Sequence, residues 1–266
     1  LNLNNQIIPI WKTHASVGKS ILTYEDEEDI SDSAPVSVIA IAKKHNLKQL
    51  IVIDNSFLAF PNLYKACKKH EIQLIFGLNF TICNDVAQKD EASLSNNCRV
   101  SVLMKNSNGY KDLIKLNDAI NGSSESFYYT PRGDWNVIKK YMTDNLLLMI
   151  PPHNNFIHIN LLRNGKSIPD FGNLKPIMTF CNIELPYTQI LNPAIKTYAQ
   201  NNNFELQEVW PVYYYKKDDF KAYSTFRAIH EREKFNSPNI DFFTNPEFCI
   251  ESYLERSNLK NTLLNQ

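Results

Sequence analysis

Glycine is scarce in this chain, with 7 in 266 residues, and none are arranged as G-x-G-x-x-G. That excludes the glycine turn that brings a backbone against a dinucleotide pyrophosphate. Cysteine is also sparse: Cys67, Cys83, Cys98, Cys181 and Cys249 are scattered, odd in number and never spaced C-x-x-C. This argues against a zinc ribbon or a disulfide framework and for reduced thiols in a cytoplasm. Excess charge is missing, because 28 Lys and Arg balance 28 Asp and Glu, so no global field draws the chain onto nucleic acid or an anionic membrane. No apolar run approaches the roughly 18 residues of a membrane span, and no basic, then apolar leader opens the chain, so no membrane partner is expected. Position 1 is Leu rather than Met, which reads as an internal position of something longer. The abundance of Asn and Lys suggests an AT-rich source such as a phage, with the host cytoplasm as location.

What is present is ample core material, 43% hydrophobic and 12% aromatic, enough for one domain over 1–266. "SVIAIAKKHNLK" has apolar residues at near-helical spacing and runs into "QLIVID", a β-branched run suited to a strand buried on both faces. "FPNLYKACKKHEI" and "QLIFGLNF" repeat the pattern. Further strands are predicted at 99–105, 145–152, 177–185 and 205–215, and helices at 109–121, 134–143, 192–203 and 218–235. Such alternation predicts an α/β fold with a largely parallel sheet, either a distorted barrel or an open doubly wound sheet. The acidic run at 24–33, "YEDEEDISDS", reads as a solvated loop.

"WKTHASVGKSILT" at 11–23 offers two chemistries. Its "GKS" lacks the earlier glycine of a phosphate loop, since Thr13 stands there, so Gly18, Lys19 and Ser20 are poor nucleotide ligands. His14 is a candidate metal ligand. His45 and His70 fall at predicted helix C-termini, where a charged imidazole suits the dipole. His153 and His158, five apart, match neither one helix turn nor one strand face and form a weak candidate pair. Asp54 ends a strand, where α/β proteins place ligands and catalytic carboxylates. Lys43, Lys44, Lys65, Lys68 and Lys69, with nearby aromatics, could touch nucleic acid directly, although lysines on amphipathic helices usually form a solvated face.

Longer stretches carry a resemblance. "SVIAIAKKHNLKQLIVIDNSFLAFPNLYKACKKHEIQLIFGLNF", "VSVLMKNSNGYKDLIKLNDA", "NIELP" and "EVWPVYYYKKDDFKAYSTFRAI" occur in the order seen in the PHP (polymerase and histidinol phosphatase) domain of the bacterial DNA polymerase III alpha subunit and its phage relatives. The chain resembles that family over nearly its whole length. The resemblance implies a distorted (β/α)7-type barrel, with "PEFCIESYLERSNLKNTLLNQ" resembling a lead-in from about residue 250 to a polymerase palm. It also implies a metal cluster, and the departures fall on the ligands. Lys12 stands for the first histidine of His-x-His, Asn55 for the histidine of Asp-His, and Asn79 for the glutamate of Gly-x-Glu. Pro211 and Tyr213 stand for the aspartate and histidine near the last strand. Only His14 and Asp54 remain at ligand positions, too few for a hydrolytic cluster.

The resemblance therefore implies a PHP domain with a degenerate metal site and no cofactor, a pseudoenzyme module in DNA replication. Its partners would be replication proteins or the rest of a polymerase chain, with DNA touched indirectly. The alternative is a metal-dependent phosphoesterase or 3′–5′ proofreading nuclease, holding Zn or Mn in an altered site of His14, Asp54, His153 and Glu184. In the first reading, His14 and Asp54 would bond each other or Lys12 and Asn55, with Lys12 buried beside Asp54.

Overall fold

The computed structural model describes residues 7–27, 35–232 and 245–264, with side chains described as far as residue 257. In chain order the first elements are β1 (Ile8–Trp11), α1 (Val38–Lys44), β2 (Gln49–Asp54), α2 (Phe60–Lys69), β3 (Gln73–Cys83), α3 (Glu91–Ser95) and β4 (Cys98–Met104). Next come α4 (Ser107–Asn121), β5 (Phe127–Tyr128), β6 (Thr130–Pro131), β7 (Gly133–Asp134), α5 (Trp135–Tyr141), β8 (Leu146–Ile150) and α6 (Phe156–Leu162). The last are β9 (Ile177–Phe180), α7 (Thr188–Asn201), β10 (Glu205–Val212), α8 (Phe220–Glu231) and α9 (Ile250–Leu264). Strands pair in the order β2-β1-β10-β9-β8-β4-β3-β7, and a further β2–β3 pairing completes a circuit of the seven longer strands. The class is mixed α/β, of the distorted-barrel type. Among the described residues no helix is long and apolar enough to cross a membrane. All five cysteines are buried and none forms a disulfide.

The chain divides into two compact units, with β3 and β10 contributing to both. One comprises the described residues of Asn5–Phe76, Ile183–Pro186 and Val209–Gln266. Here β1 lies between β2 and β10, parallel to each, with Trp11 opposite both Val52 and Val212. Trp11, Leu50, Val52 and Val212 are fully buried, as the apolar run of β2 requires. Ser37 caps α1 by accepting the Ile39 N–H, and the next five residues of α1 are all buried. His45 and His70 are the C-caps of α1 and α2. Burial, then Lys44, lowers the His45 pKa, which works against a positive charge at that cap.

The other unit contains Gly77–Asn182 and Tyr187–Glu208. Here the largely parallel sheet has one exception. β4 runs antiparallel to both β3 and β8, while β9 is parallel to β8 and β10. The only helix joining β3 to β4 is α3, whose five residues climb about 7.5 Å. The eleven residues of β3 span about 36 Å, so no helical crossover carries the chain back and the next strand returns antiparallel. Arg132, fully buried, ties this region together by donating to Ser93 Oγ and Gln88 O and by lying over the Tyr128 ring.

Three strand predictions overran by more than one residue. Residues 145–152 are strand only over Leu146–Ile150, 177–185 only to Phe180, and 205–215 only to Val212. Beyond Val212 the chain turns to another partner: Tyr213 N–H donates to Phe248 O, and Tyr214 bridges to Cys249. Residues 28–33 of the acidic run lie outside the described residues. Within the described part Asp26 is not merely solvated, because its carboxylate binds Lys69 Nζ at 2.7 Å and His70 Nε2 at 2.6 Å. The Lys69 hydrogen bond is the main cause of its lowered pKa.

The "GKS" turn has a structural task. Lys19 pairs with Glu231 on α8, and buried Ser20 donates to Tyr213 O at 2.8 Å. Gly18 adopts φ +71°, and a methyl group there would lie 2.3 Å from His230 Cγ. Gly18→Ala is therefore expected to cost about 2 kcal/mol, from left-handed strain plus displacement of His230. Lys19→Gln, which only breaks a partly exposed ion pair, should cost less than about 1 kcal/mol. Thermal unfolding of the two variants checks this order.

Candidate functional site

Parallel pairing of β1 and β2 sets their C-terminal ends side by side, so the residues following Trp11 meet those at the end of β2. Asp54 is the last residue of β2 and is fully buried. Its Oδ1 accepts the Thr13 N–H at 3.0 Å and the Ser16 hydroxyl at 2.7 Å, and its Oδ2 accepts the Thr13 hydroxyl at 2.7 Å. Each hydroxyl in turn accepts a backbone N–H: Ser16 Oγ from Asn55 at 2.9 Å, and Thr13 Oγ1 from Ala15 at 3.3 Å. A hydroxyl that donates and accepts at once is polarised in both roles, so amide, hydroxyl and carboxyl form a cooperative network. Thr13 and Ser16 are buried as deeply as the carboxyl they serve.

Thr13 and Ser16 were not among the candidates read from the sequence, although they flank His14 as T-x-x-S. The available signal was that a buried carboxyl needs donors and that the neighbouring strand end carries two hydroxyls. Of the arrangement anticipated for the retained residues, Lys12 does lie beside Asp54, whereas His14 bonds elsewhere. Lys12 Nζ donates to Ile53 O at 3.1 Å, the carbonyl before Asp54. His14 turns towards Leu22 O, 3.2 Å from its Nδ1, and stacks on Tyr24 with ring centres 4.8 Å apart. A carbonyl can only accept, so Nδ1 carries a proton.

In the same unit, Pro211 lies within β10 opposite Ile10, and Tyr213 stacks on Tyr223 at 5.7 Å and meets Phe248 at 5.4 Å. Both fill space with apolar surface. Glu184 has an exposed side chain, and its backbone carbonyl accepts from Asn245.

Asn79, His153 and His158 belong to the other unit. Asn79, opposite Ser101 on β4, accepts the Ser101 hydroxyl at 2.8 Å. His158 lies on α6, an element the sequence reading did not predict, and is fully buried. Its Nδ1 accepts the Asn154 N–H at 3.1 Å. The rings of His153 and His158 stand nearly perpendicular with centres 6.5 Å apart, and both face Tyr187, at 6.1 and 5.2 Å. Burial pushes the His158 pKa down to about 4, with Arg163 adding to the effect, and burial also lowers that of His153. Among the described residues no three His, Cys, Asp or Glu side chains converge so as to hold a metal ion.

A strand-end carboxyl at the C-terminal edge of paired parallel strands is where α/β folds place their sites, and the comparison with known families agrees with that class. A profile of the PHP domain matches residues 29–206, about two thirds of the chain. The chain belongs to the PHP domain family. The matched stretch includes Asp54, Asn55, Asn79, His153, His158 and Glu184, whereas Lys12, His14, Pro211 and Tyr213 lie outside it. No curated protein matches the chain.

Two outcomes follow. Asp54→Ala leaves two buried hydroxyls and a buried amide without their acceptor, and is expected to destabilise by about 2–4 kcal/mol in denaturant unfolding. Ser16→Ala, removing one donor, should cost about 1 kcal/mol. His158 contributes stability that is fully present above its ordinary pKa of 6.5 and is lost as pH falls through about 4. The loss across that window is roughly 3 kcal/mol. His158→Asn keeps an acceptor for the Asn154 N–H but does not titrate, so its unfolding free energy should fall less steeply from pH 7 to pH 4 than that of the parent.

Proposed function

We propose that this PHP domain has exchanged its metal cluster for a hydrogen-bonded network and serves as a structural and interaction module of a DNA polymerase III alpha-like replication protein. PHP domains occur in phosphoesterases and in polymerases, and the network around Asp54 is the observation that favours a non-hydrolytic role. Every oxygen that Asp54 could offer a cation already receives a short hydrogen bond from Thr13 or Ser16. A divalent ion would have to compete with these bonds and also share its surroundings with the Lys12 ammonium, whose charge opposes it.

The residues at the other positions also fit poorly with a metal cluster. An Asn at 55 and at 79 brings no negative charge, and Pro211 and Tyr213 bring packing surface, so the charge of two or three clustered divalent ions would go unbalanced. A single imidazole with a carboxyl already engaged on both oxygens makes no hydrolytic centre. In this reading the domain needs no cofactor. It holds its fold by internal hydrogen bonds and offers its surface to the remainder of a polymerase chain or to other replication proteins.

Metal analysis of the purified chain, expressed and dialysed with zinc and manganese, tests the proposal. Substoichiometric metal and no heat of binding on titration with either ion are the expected results. Stoichiometric zinc or manganese, accompanied by phosphoesterase or 3′–5′ nuclease activity lost in Asp54→Asn, would overturn it in favour of an active hydrolase.

A further inference from the structure

In the unit that holds Gly77–Asn182 and Tyr187–Glu208, α6 and α7 flank a groove of about 560 Å³. Phe156, Ile157 and Leu161 line it from α6, and Pro193, Ala194 and Thr197 from α7. The three α7 side chains are short, which leaves open the space that longer ones would fill. The walls are fixed from beneath: Tyr198 packs on Phe156 with ring centres 4.9 Å apart, and Phe156 meets Phe171 at 6.0 Å. Asn160 holds the third side, because its carboxamide accepts from the Ser167 N–H at 2.7 Å and donates to Ser167 O at 2.8 Å, next to Ile168 and Pro169. A groove with such walls is formed before anything occupies it, which lowers the cost of filling it.

Large apolar side chains also project into water around the groove. Leu161 is 50% exposed, Ile168 is 68%, and Ile190, one turn before Ala194 on α7, is 58%. A concave apolar surface and projecting apolar side chains thus share one face, which is what lets a surface pair with itself across a two-fold axis. No charged residue lines the groove. Of the charges that flank it in sequence, Lys196 lies over the Phe180 ring, Arg163 donates to Asn154 and Asp170 pairs with Lys139, while Lys166 is exposed outside the lining. A second copy therefore meets no like charge in the groove, whereas a nucleic acid finds no cation there for its phosphates. A small ligand would fill the groove but leave Ile168 and Ile190, which lie outside its lining, in water.

We infer that this α6–α7 face is the contact of a two-fold symmetric dimer of the chain, in which Ile190 of each copy enters the groove of the other. With Ile190 of one copy seated near Thr197 of the second, and the reverse by symmetry, the axis passes midway between those positions, beside Pro193 and Ala194. The short side chains there let the two α7 helices approach closely. The 14 residues of α7 span about 21 Å, and two packed helices are about 20 Å across, so each copy contributes roughly 400 Å² in projection. That is below the roughly 800 Å² per partner of a standard interface, so the expected dissociation constant is weak, on the order of 10–100 µM. The inference is independent of whether the Asp54 site holds metal.

Sedimentation equilibrium of the full chain from about 5 to about 500 µM, a span that brackets that constant, tests the inference. The mean mass should rise from 30.8 kDa towards twice that value. Ile190→Glu and Thr197→Arg each set an unpaired charge in the contact from an exposed position, and each should weaken association at least about tenfold. Ile229→Glu, at a position 71% exposed in the other unit, should associate like the parent. Because all five native cysteines are buried, Ala194→Cys treated with diamide should yield a disulfide-linked dimer, and the exposed control Leu58→Cys should not. If Thr197→Arg melts early, Ile190→Glu and the cysteine pair decide the matter. A parent that stays monomeric up to about 500 µM, association unaffected by Ile190→Glu, or equal cross-linking of the two cysteine variants would each overturn the inference.

Discussion

The constraint on which the Asp54 end of the fold depends is the burial of one carboxyl. Water is excluded from Asp54, so its oxygens must be satisfied from within, and the donors come from the turn that follows β1. This fixes that turn to the end of β2. From there the chain is pinned onward, since His14 N–H donates to Leu22 O and Ile21 N–H and Ser20 Oγ both reach Tyr213 O. The left-handed Gly18 then brings the turn against His230 of α8. A metal cluster would perform the same task by clamping strand ends with coordinate bonds. Here two hydroxyls and an amide do it, each worth about 1 kcal/mol net but costly to leave unmade.

This arrangement separates the roles of the two ends of β2. At the C-terminal end, charge is absorbed internally by short hydrogen bonds. At the N-terminal end, lysines collect where the negative ends of the α1 and α2 dipoles favour them.

Much of the fold was legible because strand burial and helix periodicity are local signals. The strand "QLIVID" occupies the residues read for it, and α4 and α8 fall within a few residues of their expected places. The direction of β4 was not legible, because side-chain alternation is the same whichever way a strand runs. Nor was α6, whose sequence "FIHINLL" is a short, nearly continuous apolar run that periodicity does not assign. At the site, Asp54 stood out by its position at a strand end, but the partners of its carboxyl did not. Thr13 and Ser16 are common residue types whose importance depends on the β1–β2 register, a long-range fact that only the folded chain provides. "GKS" had the converse character, a familiar string whose side chains are spent on Glu231 and Tyr213.

The central claim, that hydrogen bonds occupy the carboxyl a metal would need, is tested most directly by diffraction from crystals of the chain soaked in manganese, with anomalous data collected at its absorption edge. The account predicts Thr13 and Ser16 within hydrogen-bonding distance of Asp54 and no anomalous peak beside it. A manganese peak bridging Asp54 and His14, with the Thr13 and Ser16 hydroxyls turned away, would contradict it.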